Sequence, residues 1–264
     1  MSKRILIINP WGVDYMDSVT EEVVAPHLRS DTEIVCASLG EAASPVPWPT
    51  PDGRKPTIEI ARKAEADGFD AIVIGCCADP FLADTREAVS IPVIGLTESL
   101  CAASKSWGKL GLLARLLPDS YLPLIPSQGN WDFWTNMATG YGLAPDGFTM
   151  HRVFVPKHPD PDQLDRMTRT DPIGLRAIML EAMDESFHKE GLDVAQTAVH
   201  KDGADVLFFA CAFWSRSIDA LDQSAEKFGA PIINPLVSAV SYAEHLLTSS
   251  TGRHRTNLKR PAIT

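Results

Sequence analysis

No apolar run in the 264-residue chain approaches the roughly 20 residues a membrane helix needs, so no span is expected. Met1-Ser-Lys-Arg4 leads straight into a strand-like segment without the apolar stretch or cleavage site of a signal peptide, and a cytoplasmic location is expected. Basic excess is missing too. A formal net charge of −10 argues against nucleic acid as a partner and gives no long-range attraction to anions, which would need local positive groups such as helix N-termini. The five cysteines, Cys36, Cys76, Cys77, Cys101 and Cys211, are odd in number and lack both disulfide-framework and zinc-ligand spacing, so free thiols and no metal are expected. Gly140-Tyr141-Gly142 lacks the strand-turn-helix context of a dinucleotide fingerprint. What is present is the composition of an ordinary soluble protein, 45% apolar and 22% charged, in a length that suits one large or two closely joined domains.

The most informative stretch is Asp70-Ala-Ile-Val-Ile-Gly-Cys-Cys-Ala-Asp79-Pro80. Residues 71–74 form a β-branched apolar block that reads as a strand buried on both faces, as in a parallel sheet. Asp79 then reads as an N-cap and Pro80 as the first helical position, so a helix is expected directly after the cysteines. Cys76 would stand at the strand's carboxyl end, facing a helix N-terminus whose positive end lowers a thiol's pKa. The pattern recurs. Residues 204–211 repeat the acidic lead-in, the apolar strand, the small residue and the cysteine, with Ser215 placed to cap a helix over 216–228. A second strand follows each unit, at 91–95 and at 231–234.

Around these units the chain reads as strand 3–9, helix from Asp17 or Ser18 to about 28, strand 32–37, helix 57–67, helix 99–106, strand 109–114 and strand 150–155. A polar connection over 157–171 precedes helix 172–189, which Gly191 interrupts before helix 192–201. The methionine-rich stripe of 172–189 reads as core. The proline-rich 44–53 reads as a rigid surface loop, and the aromatics of the long irregular 118–147 as either packing that loop onto the body or covering the substrate. Because both segments leave strand carboxyl ends, the lid reading would bring Trp48, Trp131, Phe133 and Trp134 toward the cleft. The expected architecture is α/β. It has two pseudo-symmetric Rossmann-like halves with mainly parallel sheets and the active site in the cleft between them. Residues 1–98 form the first half and 99–235 the second; helix 236–248 packs back onto the first, and 249–264 is a basic tail that could clasp a second subunit.

With one cysteine at equivalent places in two similar halves, the chain resembles the aspartate/glutamate/hydantoin racemase superfamily. Cys76-x-x-Asp79-Pro80 and the opening Ile5-Leu-Ile-Ile-Asn9-Pro10 are nearest its hydantoin and allantoin racemase branch. The resemblance implies an isomerase without a cofactor, a small-molecule substrate, a homo-oligomer, and Cys76 and Cys211 as opposed acid and base at a carbon next to a carbonyl. Thiols suit this because a pKa of about 8.5 can be tuned toward working pH. The enolate would be held by backbone N–H groups around Ala78 and Asp79 and around Phe213 and Trp214, with the Asn9 side chain added. Substrate contacts are expected from Asn9, Trp11, Ala78, Asp79, Thr97, Phe213 and Trp214. Trp11 and Phe213-Trp214 stand where the branch usually carries smaller residues, which favours a ring-bearing or aryl-substituted hydantoin-like or acid substrate. One-thiol relatives, the arylmalonate decarboxylases and maleate isomerases, or a ring-opening hydrolase, are the alternative; a non-catalytic binding protein is the third reading. Cys77, Cys36 and Cys101 read as packing residues, and His151 and His200 stand in no recognisable dyad.

Overall fold

The β-branched runs pair as two parallel four-stranded sheets in the computed structural model, which describes residues 2–125, 130–221 and 229–249. In the first sheet, β1 (Lys3–Asn9), β2 (Thr32–Ser38), β3 (Ala71–Ile74) and β4 (Val93–Gly95) lie in the order β2-β1-β3-β4. The second repeats it position for position, as β6 (Phe148–Phe154), β5 (Leu110–Leu116), β7 (Val206–Phe209) and β8 (Ile232–Ile233). Register agrees: Ile5 stands beside Ala71, and Leu110 beside Val206. Every residue of β3 and β7 is buried, as befits parallel strands covered on both faces.

The repeated acidic lead-in has a structural cause. The Asp70 carboxylate accepts from the Arg4 N–H at 2.9 Å and the Asp205 carboxylate from the Lys109 N–H at 2.8 Å. In return the Asp70 and Asp205 N–H groups donate to the Arg4 and Lys109 carbonyls, each at 2.8 Å. Each aspartate therefore pins its strand to the centre of its sheet.

Side-chain alternation sorts the strands onto three cores. Ile5, Ile7 and Val73 of the first sheet share a core with Leu110, Leu112 and Phe208 of the second, which joins the halves. Leu6, Ile8, Ile72 and Ile74 face outward beneath α2 (Arg54–Ala66) and α3 (Leu82–Ala88). Leu113, Leu207 and Phe209 pack against α7 (Pro172–Ser186) and α8 (Leu192–His200). The last helix, α10 (Pro235–Ser249), lies on α4 (Leu96–Ser104), β3 and β1 of the first half. No helix among the described residues is long and apolar enough to cross a membrane.

Several local expectations are corrected. Residues 118–147 are not irregular throughout: Asn130 caps α5 (Trp131–Gly140) by accepting from the Phe133 N–H at 3.1 Å. The connection 157–171 contains α6 (Pro161–Thr170), capped by Asp160 at 2.8 Å from the Gln163 N–H. Gly191 does not interrupt the helix after 172; a π-helical turn, Phe187–Gly191, joins α7 to α8. There the glycine is required because a Cβ would stand 2.9 Å from the Phe209 ring. The helix expected from 216 to 228 begins instead as α9 (Ser215–Asp219), with residues 222–228 outside those described. Most of the basic tail, 250–264, also lies outside them.

Candidate active site

Both cysteines leave their strands through the same backbone pattern. After β3 the Gly75 N–H bonds the Ile8 carbonyl at 2.8 Å, Cys76 bonds Ile74 at 2.9 Å, and Asp79 bonds Cys76 at 2.9 Å. After β7 the same roles fall to Ala210 with Leu113 at 2.8 Å, Cys211 with Phe209 at 2.8 Å, and Trp214 with Cys211 at 3.1 Å. The small residue before each cysteine lets the strand pass close to its neighbour: at Gly75 a Cβ would stand 2.4 Å from the Asn9 side-chain oxygen.

Beyond the cysteines the turns differ, and Asp79 is not the cap expected of it. It adopts φ 43° and Phe81 φ 60°, so the chain turns left-handed before α3 begins at Leu82. The Asp79 carboxylate instead accepts from the Thr97 and Glu98 N–H groups at 3.2 and 2.9 Å, capping α4 from eighteen residues upstream. Gly95 makes this possible, because a Cβ there would sit 2.5 Å from the carboxyl carbon. Burial raises the Asp79 carboxyl to about 7, with the Glu98 N–H, the Tyr141 hydroxyl and the Thr97 N–H acting the other way. In the second turn Trp214 is fully buried, its indole N–H donating to the Met183 carbonyl at 3.0 Å and lying 3.3 Å from the Ser186 hydroxyl. Ser215 opens α9 without acting as its cap.

Between the turns lies a cavity of about 110 Å³. Cys76, Cys77 and Ala78 form one wall; Ala210, Cys211, Ala212 and Phe213 form the other. Trp11, leaving β1, meets Phe213 edge-on at 5.7 Å and so links the halves over the cleft. The proline-rich loop supplies Pro47, Trp48 and Pro49, and Trp48 meets Tyr121 of the second half at 5.7 Å. Gly12 lets this loop close down, since a Cβ would stand 2.3 Å from the Ser44 carbonyl oxygen. Ile125, Trp134 and Arg115 complete the lining.

Of the nine site residues read from sequence, the structure brings Trp11, Cys76, Ala78, Cys211 and Phe213 to this cavity. Asn9, Asp79, Thr97 and Trp214 are engaged elsewhere. The Asn9 amide donates to Asp17 at 2.6 Å, and Asp17 also accepts from the Ser38 N–H, so Asn9 ties strand ends together. The Thr97 hydroxyl donates to the Cys77 carbonyl. The Asp79 and Trp214 N–H groups bond the Cys76 and Cys211 carbonyls within their own turns. Trp131 does not face the cleft; it lies half-exposed under the Arg152 guanidinium at 4.3 Å, while Phe133 packs on Trp134. Cys77 packs in the core between the halves while bordering the cavity. Arg115, Trp48 and Trp134 are the lining residues with most chemistry beyond the thiols. An arginine in the apolar Leu110–Leu116 run was the available signal for the first of these.

Burial pushes the Cys76 thiol up to about 12, with the Ala78 N–H and the Arg115 charge favouring the thiolate in smaller measure. This corrects the expectation of a thiol acidified by a helix N-terminus: the left-handed residues 79 and 81 separate Cys76 from α3, and the helix start that Asp79 caps is that of α4. Cys211 in turn raises the Cys76 pKa, so the two thiols stand within electrostatic reach of each other.

Similarity to known proteins agrees with this geometry. Residues 5–116 match the Asp/Glu/hydantoin racemase family. A hydantoin racemase of Pseudomonas sp. (strain NS671) is 28% identical over 260 residues, covering 97% of this chain and 90% of that protein. Allantoin racemase from Klebsiella pneumoniae shares the fold with a TM-score of 0.66 at 20% identity, covering 96% of this chain and 92% of the other. Arylmalonate decarboxylase shares it at 0.53 and 12% identity, covering 94% of each. With two equivalent sheets, each delivering one cysteine to a common cleft, the chain is similar over nearly its whole length to a hydantoin racemase and shares the fold of the allantoin racemases, and the Asp/Glu/hydantoin racemase family model matches residues 5–116.

Proposed function

We propose that the protein inverts a carbon next to a carbonyl, with Cys76 and Cys211 as opposed acid and base, on a small ring-bearing or aryl-substituted hydantoin-like or acid substrate. The observation that carries this reading is that the two halves present their cysteines from equivalent strand ends to one cavity. A thiolate on one face takes the α-proton while the C–H electron pair moves into the carbonyl, giving an enolate. The thiol on the other face returns a proton to carbon as the enolate collapses. The sulfurs end with their protonation exchanged, so the same pair serves the mirror-image substrate.

Burial favours the protonated form of Cys76, with the Ala78 N–H and the Arg115 charge favouring its anion in smaller measure, which suits Cys76 to be the protonated member of the pair. Trp11, Trp48 and Trp134 close over the cleft and keep water from the enolate, which strengthens every hydrogen bond to it. Five free thiols suit the reducing cytoplasm. Incubating single enantiomers of 5-benzylhydantoin and of 2-arylpropionate with the protein in deuterium oxide tests the reading. Optical rotation should decay to zero for at least one class as deuterium appears at the α-carbon. Unchanged rotation in both classes with folded protein would overturn it.

A further inference from the structure

Arg115 is unlike every other residue around the cavity. It sits on β5 between Leu113 and Leu117, on the face of the strand that packs toward Trp11, Trp48, Tyr121 and Cys211. Its charge reaches Cys76, Tyr121 and the buried His158. Among the described residues no carboxylate pairs with it and no acceptor hydrogen-bonds it. Among the described residues the lining contains no aspartate or glutamate, so in a chain of net charge −10 this cavity is locally positive.

Trp11 and Trp134 both line the cavity, are 3% and 5% exposed, and carry buried indole N–H groups without a partner. A buried donor left unpaired costs about 1–3 kcal/mol, and a guanidinium is a rigid fork that matches a carboxylate with two parallel bonds. One cation walled by aromatic rings in about 110 Å³ describes the complement of an oxygen-rich anion carrying a ring, and the two indole N–H groups lie within the wall rather than at its surface.

We propose that Arg115 is the specificity-determining residue of this cavity, selecting ring-bearing substrates that carry a carboxylate and gripping that group with its guanidinium. This rests on the cavity being the substrate site of the proposed racemase, and it narrows the substrate class to anions.

Binding separates the two ideas. Titration of the full chain with phenylacetate and with its neutral isostere phenylacetamide can be followed by tryptophan fluorescence, since three tryptophans line the cavity. Phenylacetate should bind the wild type about tenfold or more tightly than the amide, the size expected of a hydrogen-bonded charge pair. Arg115→Leu should abolish that preference while leaving amide binding within about twofold, and Arg115→Gln, which is shorter but keeps an N–H donor without charge, should do the same. Equal binding of acid and amide by the wild type, or no saturable binding of the acid, would overturn the proposal, as would a preference that survives in either folded variant. Charge-selective binding without α-proton exchange on any substrate would instead overturn the racemase reading alone.

Discussion

The turn after β3 and the turn after β7 share three backbone hydrogen bonds and then solve one problem differently. In each half the strand beside the cysteine strand, β4 or β8, runs into a helix whose first N–H groups need acceptors. In the first half Gly95 leaves room and Asp79 reaches over from the cysteine turn to accept from Thr97 and Glu98. In the second half the residue equivalent to Gly95 is Asn234, which accepts from Leu236 and Val237 itself. That releases the position equivalent to Asp79 to carry Trp214, which is buried against α7. The backbone skeleton fixes where the thiols stand, while the residue three places on is free to diverge provided the helix is capped.

The largest expected effect breaks the functional equivalence of the halves. Cys76→Ser and Cys211→Ser should each lower racemisation by about 10²–10⁴-fold, the usual contribution of a positioned acid or base. One variant should still exchange the α-proton of a single enantiomer with solvent deuterium, because the remaining thiol can take and return it on one face. Full activity in either variant would remove the two-thiol mechanism, and carbon dioxide release by a single-cysteine variant would mark a one-thiol lyase.

Next in size is Trp214. Truncating this fully buried indole to alanine should cost about 3–5 kcal/mol of stability, read as a lower Tm. Trp214→Phe keeps the ring but removes the donor to the Met183 carbonyl and should cost about 1–3 kcal/mol. A changed KM at unchanged Tm would return Trp214 to the substrate site.

The architecture was legible because the duplicated Asp-strand-small-Cys pattern is itself the sheet skeleton: Asp70 and Asp205 pin strands, β3 and β7 are the buried centres, and the cysteines follow. What could not be read was side-chain reach. A reading by local spacing gives Asp79 to the nearest helix, whereas left-handed φ values at 79 and 81 and the missing Cβ of Gly95 deliver it to another. Trp214 and Phe213 look alike as aromatics after a cysteine, and only the packing of α7 decides that one is core and the other cavity wall. Arg115 was hidden for the opposite reason: one basic residue at the end of an apolar strand is unremarkable until the fold shows what faces it. The expected lid failed at Trp131 because a helix capped by Asn130 turns that ring toward Arg152.

The Asp79 solution should leave a mark on the pH dependence of stability. Its folded pKa of about 7 lies above the ordinary carboxylate value of 3.8, so the folded state holds a proton that the unfolded chain releases between about pH 4 and 7. Stability from this group is therefore full below about pH 4 and falls as pH rises toward 7, by at most about 1.4 kcal/mol per unit. Asp79→Asn cannot ionise. Urea unfolding at steps between pH 4 and 7 should show the wild-type decline reduced in the variant; parallel curves would mean that Asp79 is ionised throughout.

The smallest effect sharpens the comparison from the other side. Asn234 caps α10 with its oxygen, 3.2 and 3.4 Å from the Leu236 and Val237 nitrogens, and with its amide nitrogen donates to the Ser215 carbonyl at 2.9 Å. One side chain thus joins the helix start to the segment after the second cysteine turn, as Asp79 joins the corresponding parts of the first half. Asn234→Ala should cost about 1 kcal/mol, the usual worth of an N-cap, seen as a modest fall in Tm. Asn234→Asp keeps the cap, and its charge suits a helix N-terminus, but it brings an oxygen where the Ser215 carbonyl needs a donor. It should therefore recover only part of the loss. Full recovery by aspartate would show that the bond to Ser215 adds nothing and that the cap alone matters. No loss in the alanine variant would show that packing on α4 holds the first turn of α10 by itself, leaving the first half as the only one whose helix depends on a side-chain cap.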